Sequence, residues 1–263
     1  MCKPTCYLCK IEIADKKNSH IIPKFLGKEL FISDLGNHAI QIDRDGKCKK
    51  IQTIPKEDFI LCVSCEKRFE IIETFFARFF TKLRDFENFT DNFDIRTLGN
   101  QNYIVCKKLN PKLFKLFIYS LIWRLSISTH FANQKYKLPI KIEEELRTFL
   151  DRNLKIDHTS LISTINEVEN IPNYDFCLIK PENKFADFKG MHSAFQISKS
   201  IYLLALVDFI IFFYIDDSID PVLKIYSNKQ NNDIIIPISE DERWFALNKL
   251  ILSKILNTQQ SRK

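Results

Sequence analysis

Glycine is scarce in this chain, 5 residues in 263, and methionine scarcer, at 2. So few glycines make a glycine-rich phosphate cradle unlikely by composition alone. Neither G-x-x-x-x-G-K-S/T nor G-x-G-x-x-G occurs, which excludes P-loop NTPases and dinucleotide-binding folds. H-E-x-x-H and G-x-S-x-G are missing too, so the sequence offers neither a zincin helix nor a nucleophile elbow. The stretch Met1 to Cys6 has no apolar h-region, and no signal peptide is expected. The apolar run Ile201 to Ile215 is shorter than the ~18 residues of a membrane helix and carries Asp208 mid-run, so it reads as strand and no membrane partner is expected. A cytoplasmic location follows as an expectation, and there paired cysteines read as metal ligands before disulfides.

What the chain does have is phenylalanine, 23 residues, within 45% apolar and 27% charged composition. That is enough apolar mass for a core and excludes a disordered chain. The formal net charge of +6 permits a nucleic-acid partner, although lysines that merely solubilise a Phe-rich protein would give the same balance.

The 8 cysteines divide into two kinds. Cys6-Tyr7-Leu8-Cys9 and Cys62-Val63-Ser64-Cys65 are two C-x-x-C knuckles, each a tight turn that aims two thiolates at one point. Together they supply the four sulfurs of a closed, tetrahedral structural zinc site. A redox dithiol is the weaker reading, since no thioredoxin-like pattern of strands and helix surrounds either pair. Cys2 and Cys48 lie in the same region and could replace a ligand or bind a second ion. Cys106 and Cys177 sit in apolar strings and read as buried small hydrophobes.

Residues 1–84 read as a loop-and-hairpin module of the kind that needs a metal staple. Phe69, Ile72, Phe75, Phe76, Phe79, Phe80 and Leu83 recur at three- and four-residue spacing and predict a helix from the second knuckle to about Arg84. A knuckle leading straight into a helix is the layout of a treble clef. Residues 85–263 read as an α+β domain. Helices are predicted across about 110–170, opened by Asn110-Pro111, by Pro139 and by an Asp157 cap. Strands are predicted at 174–179, 201–206, 209–215, 222–226 and 234–238, paired antiparallel, before a last helix over about 240–257.

Between the knuckles stand Asn18-Ser19-His20-Ile21-Ile22-Pro23-Lys24-Phe25, then Gly36-Asn37-His38, and the second knuckle continues Cys65-Glu66-Lys67-Arg68. Over residues 6 to about 75 this order resembles the zinc-knuckle form of the HNH (ββα-metal) endonucleases. It is also similar to bacterial proteins of unassigned function that carry C-x-x-C, S-H-I-I-P-K-F and C-x-x-C-E in this order. The HNH resemblance implies a metal-dependent nuclease hydrolysing phosphodiester bonds in DNA or RNA, in a setting such as phage defence or a mobile element. His20 would be the general base and Asn37 would orient it, with His38 as the alternative base. Glu66 and Glu70, joined by Glu73, would hold a catalytic Mg²⁺ or Mn²⁺. Lys24, Lys28, Lys47, Lys49, Lys50, Lys67 and Arg68 would contact phosphates. Ser19 and Glu66 occupy positions where that family carries other metal ligands, so the site is either rebuilt with carboxylates or lost. The alternatives are a non-catalytic zinc-stabilised module that recognises nucleic acid or protein, and a subunit of a larger assembly docked through residues 85–263.

Overall fold

The computed structural model describes residues 4–31, 38–42, 47–130, 136–182, 191–230 and 233–260, with side chains through Ser253 in the last segment. The predicted α+β class holds. The first half carries short strands β1 (Ser19–His20), β2 (Ala39–Ile42), β3 (Cys48–Ile51) and β4 (Lys56–Glu57), a turn of helix α1 (Lys24–Gly27), and the long helix α2 (Val63–Arg84). β1 pairs with β4, and the β2–β3 hairpin is inserted between them.

After α2 come the hairpin β5 (Phe93–Leu98) and β6 (Gln101–Cys106), then helices α3 (Pro111–Ile127), α4 (Ile140–Asn153) and α5 (His158–Glu167). The chain ends in β7 (Asp175–Pro181), β8 (Ser193–Gln196), β9 (Ile201–Leu206), β10 (Phe209–Tyr214), α6 (Pro221–Lys224), β11 (Ile234–Ser239) and α7 (Asp241–Gln260). Seven of these strands form a single sheet in the order β5-β6-β11-β7-β10-β9-β8. The expected antiparallel pairing holds for every neighbouring pair except β11 and β7, which run parallel through Ile238–Lys180 and Ser239–Pro181. The long excursion through β8, β9, β10 and α6 gives the chain the length a parallel return requires.

The helices start where cap chemistry places them. Asn110 accepts from the backbone N–H groups of Lys112 and Leu113, with Pro111 at the first helical position. α3 is then buried all round, from Leu113 to Ile127, because it lies between α2, α4, α5 and the sheet. The α2 stripe meets it through Phe76 stacked on Phe117 at 4.2 Å between ring centroids, and reaches the sheet through Phe80 against Phe209 at 4.9 Å. The main core runs without a break from Cys6 and Leu8, through α2 and α3, to Ile238, so it joins both sides of residue 84.

A second seam fixes the N-terminal segment to the sheet. Arg84 bridges Asp208, in the β9–β10 turn, at 2.6 Å and donates to the Phe25 carbonyl. Gly27 lies against His192, where a Cβ would come within 2.4 Å of the ring carbon Cε1.

Two expectations need correction. Residues 222–226 were expected as strand; Pro221–Lys224 is helix, because the Asp220 carboxylate caps the Val222 N–H at 2.8 Å and Pro221 occupies the first turn. The β5–β6 hairpin was not anticipated, although Gly99-Asn100 sits at its tip and Gly99 takes the left-handed φ of +59°. Among the described residues no helix is long and apolar enough to cross a membrane.

Candidate metal centre and the His20 surface

The first knuckle is closed by the Cys6 N–H donating to Glu12 O and the Lys10 N–H donating to Cys6 O, with Lys10 in the left-handed region at φ +57°. The second knuckle opens α2. Cys62 is its N-cap, and the Cys62 sulfur accepts the Cys65 N–H at 3.4 Å. Backbone hydrogen bonds lash the two turns together: Tyr7 N–H to Ile60 O at 3.0 Å, Lys16 N–H to Leu61 O at 3.0 Å, and Phe59 N–H to Lys16 O at 2.8 Å. Asp15 accepts from the Val63 N–H, the first residue of α2.

The consequence is that the sulfurs of Cys6, Cys9, Cys62 and Cys65 all lie within 4.8 Å of one another. A tetrahedral site with Zn–S bonds of ~2.3 Å places sulfurs about 3.8 Å apart, so the set fits a metal ion such as zinc with a small contraction. Cys6 is drawn down to about 5, chiefly by the hydrogen bond from the Cys65 thiol, while Cys65 is pushed up by that same bond and Cys62 rises to about 12, mainly through burial. Thiols packed this closely lower one another's thiolate cost only by sharing protons, and a dication held among them would take over that task. Cys48 is exposed on β3 and stands outside the group, and Cys2 lies outside the described residues. Cys106 and Cys177 are buried, as expected.

His20 sits on β1 directly opposite Lys56 of β4. Its pKa is lowered, first by burial and then by the cations Lys56, Arg124, Lys24 and Lys16. Both effects favour the neutral form of the ring. Arg124 comes from the middle of α3. It is buried, donates to the His20 carbonyl at 3.1 Å and pairs with Glu73 at 2.5 Å, with its guanidinium over the Phe69 ring. The wholly buried Ser19 hydroxyl lies beside the Glu66 carboxylate without closing a hydrogen bond of good geometry. Burial raises Glu66 and Glu73, and Arg124 opposes that rise in both.

The three glutamates share a face of α2, as their spacing predicts, but they do separate work. Glu73 neutralises Arg124, Glu70 is exposed with Lys16 at 4.0 Å, and Glu66 faces Ser19. Among the described residues the four cysteines are the one group of three or more His, Cys, Asp or Glu side chains that converge on a point. Among the described residues the expected Mg²⁺ or Mn²⁺ site thus lacks a converging ligand set. Asn37, expected to orient His20, lies outside the described residues, and His38 is half-buried just before β2.

Of the expected phosphate contacts, Lys24, Lys28, Lys47, Lys49, Lys50 and Lys67 are exposed. Arg68 is not: it turns inward to Cys65 and α4. Lys16, Lys56 and Arg124 were not anticipated. Lys56 is reachable only through the β1–β4 register. Arg124 had a signal, an arginine in the apolar run Leu121-Ile122-Trp123-Arg124-Leu125, since a buried charge requires a partner.

No protein-family model, curated protein or solved structure matches this chain.

Proposed function

We propose that the chain is a nucleic-acid-binding protein, with the metal-stapled knuckles acting as scaffold and the surface around His20 as the contact. The observation that carries this reading is geometric: His20 stands opposite the exposed Lys56 in the β1–β4 register, and the exposed Lys24 opens α1 four residues further along the chain. Lys24 and Lys56 are exposed, so their charge is available to phosphates. The exposed Lys49 and Lys50 of the β2–β3 hairpin extend the basic character of the same half of the chain.

Electrophoretic or anisotropy titration of the full chain against single- and double-stranded DNA and RNA tests it. Lys24→Glu combined with Lys56→Glu is expected to weaken binding at least tenfold near 0.1 M salt and to lower the salt slope by about 2. Unchanged affinity and slope in that variant would refute the assignment of this surface.

A second reading makes the module an HNH-like hydrolase of phosphodiester bonds. The placement of His20 opposite Lys56 favours it, since burial and neighbouring cations favour the unprotonated ring, the form that can accept a proton from water. Incubation of the same substrates with the chain in Mg²⁺ or Mn²⁺ decides: cleavage by the parent and none by His20→Ala supports hydrolysis, whereas binding with no cleavage by either leaves recognition as the function.

A further inference from the structure

Arg68 lies one turn into α2, three residues after Cys65, and its guanidinium joins two electron-rich groups. On one side Nη1 is 3.8 Å from the Cys65 sulfur. On the other side it closes the C-terminal end of α4. Nε donates to Leu154 O at 2.9 Å, Nη1 bridges Asp151 at 2.8 Å, and Nη2 donates to Asp151 O and reaches Leu150 O at 3.5 Å. The last carbonyls of a helix have no partner within the helix and carry the negative end of its dipole. A cation placed there satisfies both requirements.

The same helix reaches the other knuckle. Arg147 of α4 donates to Leu8 O, between Cys6 and Cys9, at 2.6 Å, while holding Glu144 at 2.6 Å and lying 3.9 Å from Asp151. Each C-x-x-C therefore has an arginine contact that ties it to α4, and Asp151 stands near both arginines. Four thiolates around a single dication keep a net negative charge. An N–H group aimed at a ligating sulfur spreads that charge and orients the ligand, the usual role of the outer shell at metal sites.

We propose that Arg68 is a positioning residue for the four-cysteine metal centre, and that through Arg68 and Arg147 the centre acts as a metal-dependent clasp on the C-terminal end of α4. The coupling is reciprocal: metal binding orders the carbonyl end of α4, and an intact α4 end tightens metal binding. The arrangement stands apart from the nucleic-acid reading, because Arg68 is committed inside the fold.

Cobalt substitution of the full chain tests the proposal, since the sulfur-to-cobalt absorption band reports the charge on the ligating sulfurs whatever the effect on overall stability. Arg68→Met is expected to shift that band and to weaken zinc binding ten- to a hundredfold in chelator competition, a range typical for loss of an outer-shell partner. Arg68→Lys keeps a cation and is expected to recover part of both. Asp151→Asn, which leaves Arg68 in place but loosens its grip on α4, is expected to give a smaller loss of affinity and faster amide exchange at 150–154. An unshifted band in folded Arg68→Met, or equal zinc affinity in Arg68→Met and the parent, would overturn the proposal. If Arg68→Met does not fold, Arg68→Lys and Asp151→Asn carry the test, and parental band, affinity and exchange in both would overturn it.

Discussion

Arg124 shows how a single buried side chain ties the His20 surface to the core. It enters from α3, takes the His20 carbonyl and neutralises Glu73. Removing it leaves the partly exposed Glu73 carboxylate without its partner, so Arg124→Met is expected to cost about 2 kcal/mol in chemical denaturation, and the double variant Arg124→Met/Glu73→Gln less than the single. His192 makes a different prediction. Burial pushes its pKa to about 4, well below its ordinary 6.5, so the folded chain keeps the ring neutral where the unfolded chain protonates it. That contribution is complete above about pH 6.5 and is lost as pH falls towards 4. It amounts to about 2 kcal/mol once the ring's partial exposure is allowed for. Unfolding midpoints across this window should fall less steeply in His192→Gln than in the parent, and parallel curves would refute the assignment. Burial also lowers His20 and His130, which adds to the acid sensitivity of both proteins.

Among the elements, α2 and α3 carry the packing. Phe117 stacks on Phe76 and touches Phe80 and Phe25, so Phe117→Ala is expected to cost about 3–5 kcal/mol. Ile140, 88% exposed at the start of α4, should tolerate alanine within about 0.5 kcal/mol. Equal costs in urea titrations would contradict the placement of the core.

The same contrast explains what the sequence disclosed. Helices α2 to α5 and α7 were legible because their caps and three- to four-residue apolar spacing are local. β9 and β10 were legible as continuous apolar runs bounded by turns. β8 was missed, since four residues of mixed character leave no period to read. The 222–226 segment misled because Val222, Leu223 and Ile225 suggest strand while the decisive Asp220-Pro221 cap lies just upstream. At the candidate site, the cysteines were legible from a two-residue spacing repeated once. The partners of His20 were not, because Lys56 and Arg124 reach it through strand register and tertiary packing across 36 and 104 residues of sequence.

At the scale of the whole molecule, one continuous core spans the four-cysteine segment, the central helices and the sheet. The knuckles are joined to each other by backbone hydrogen bonds, and to α4 by Arg68 and Arg147. Loss of the metal is therefore expected to lower the thermal midpoint of the whole chain and not to release the first 84 residues alone. Separate transitions in calorimetry of chelator-treated protein would contradict a shared core. The net charge of +6 would add long-range attraction for any polyanionic partner without directing it to the His20 surface.

The convergence of Cys6, Cys9, Cys62 and Cys65 implies a single bound metal ion. X-ray absorption at the zinc edge, on protein purified without added metal, measures this most directly. About one zinc per chain is expected, with a shell of four sulfurs near ~2.3 Å. Metal-free protein that folds fully and takes up no zinc, or a shell in which nitrogen or oxygen replaces the sulfurs, would contradict it.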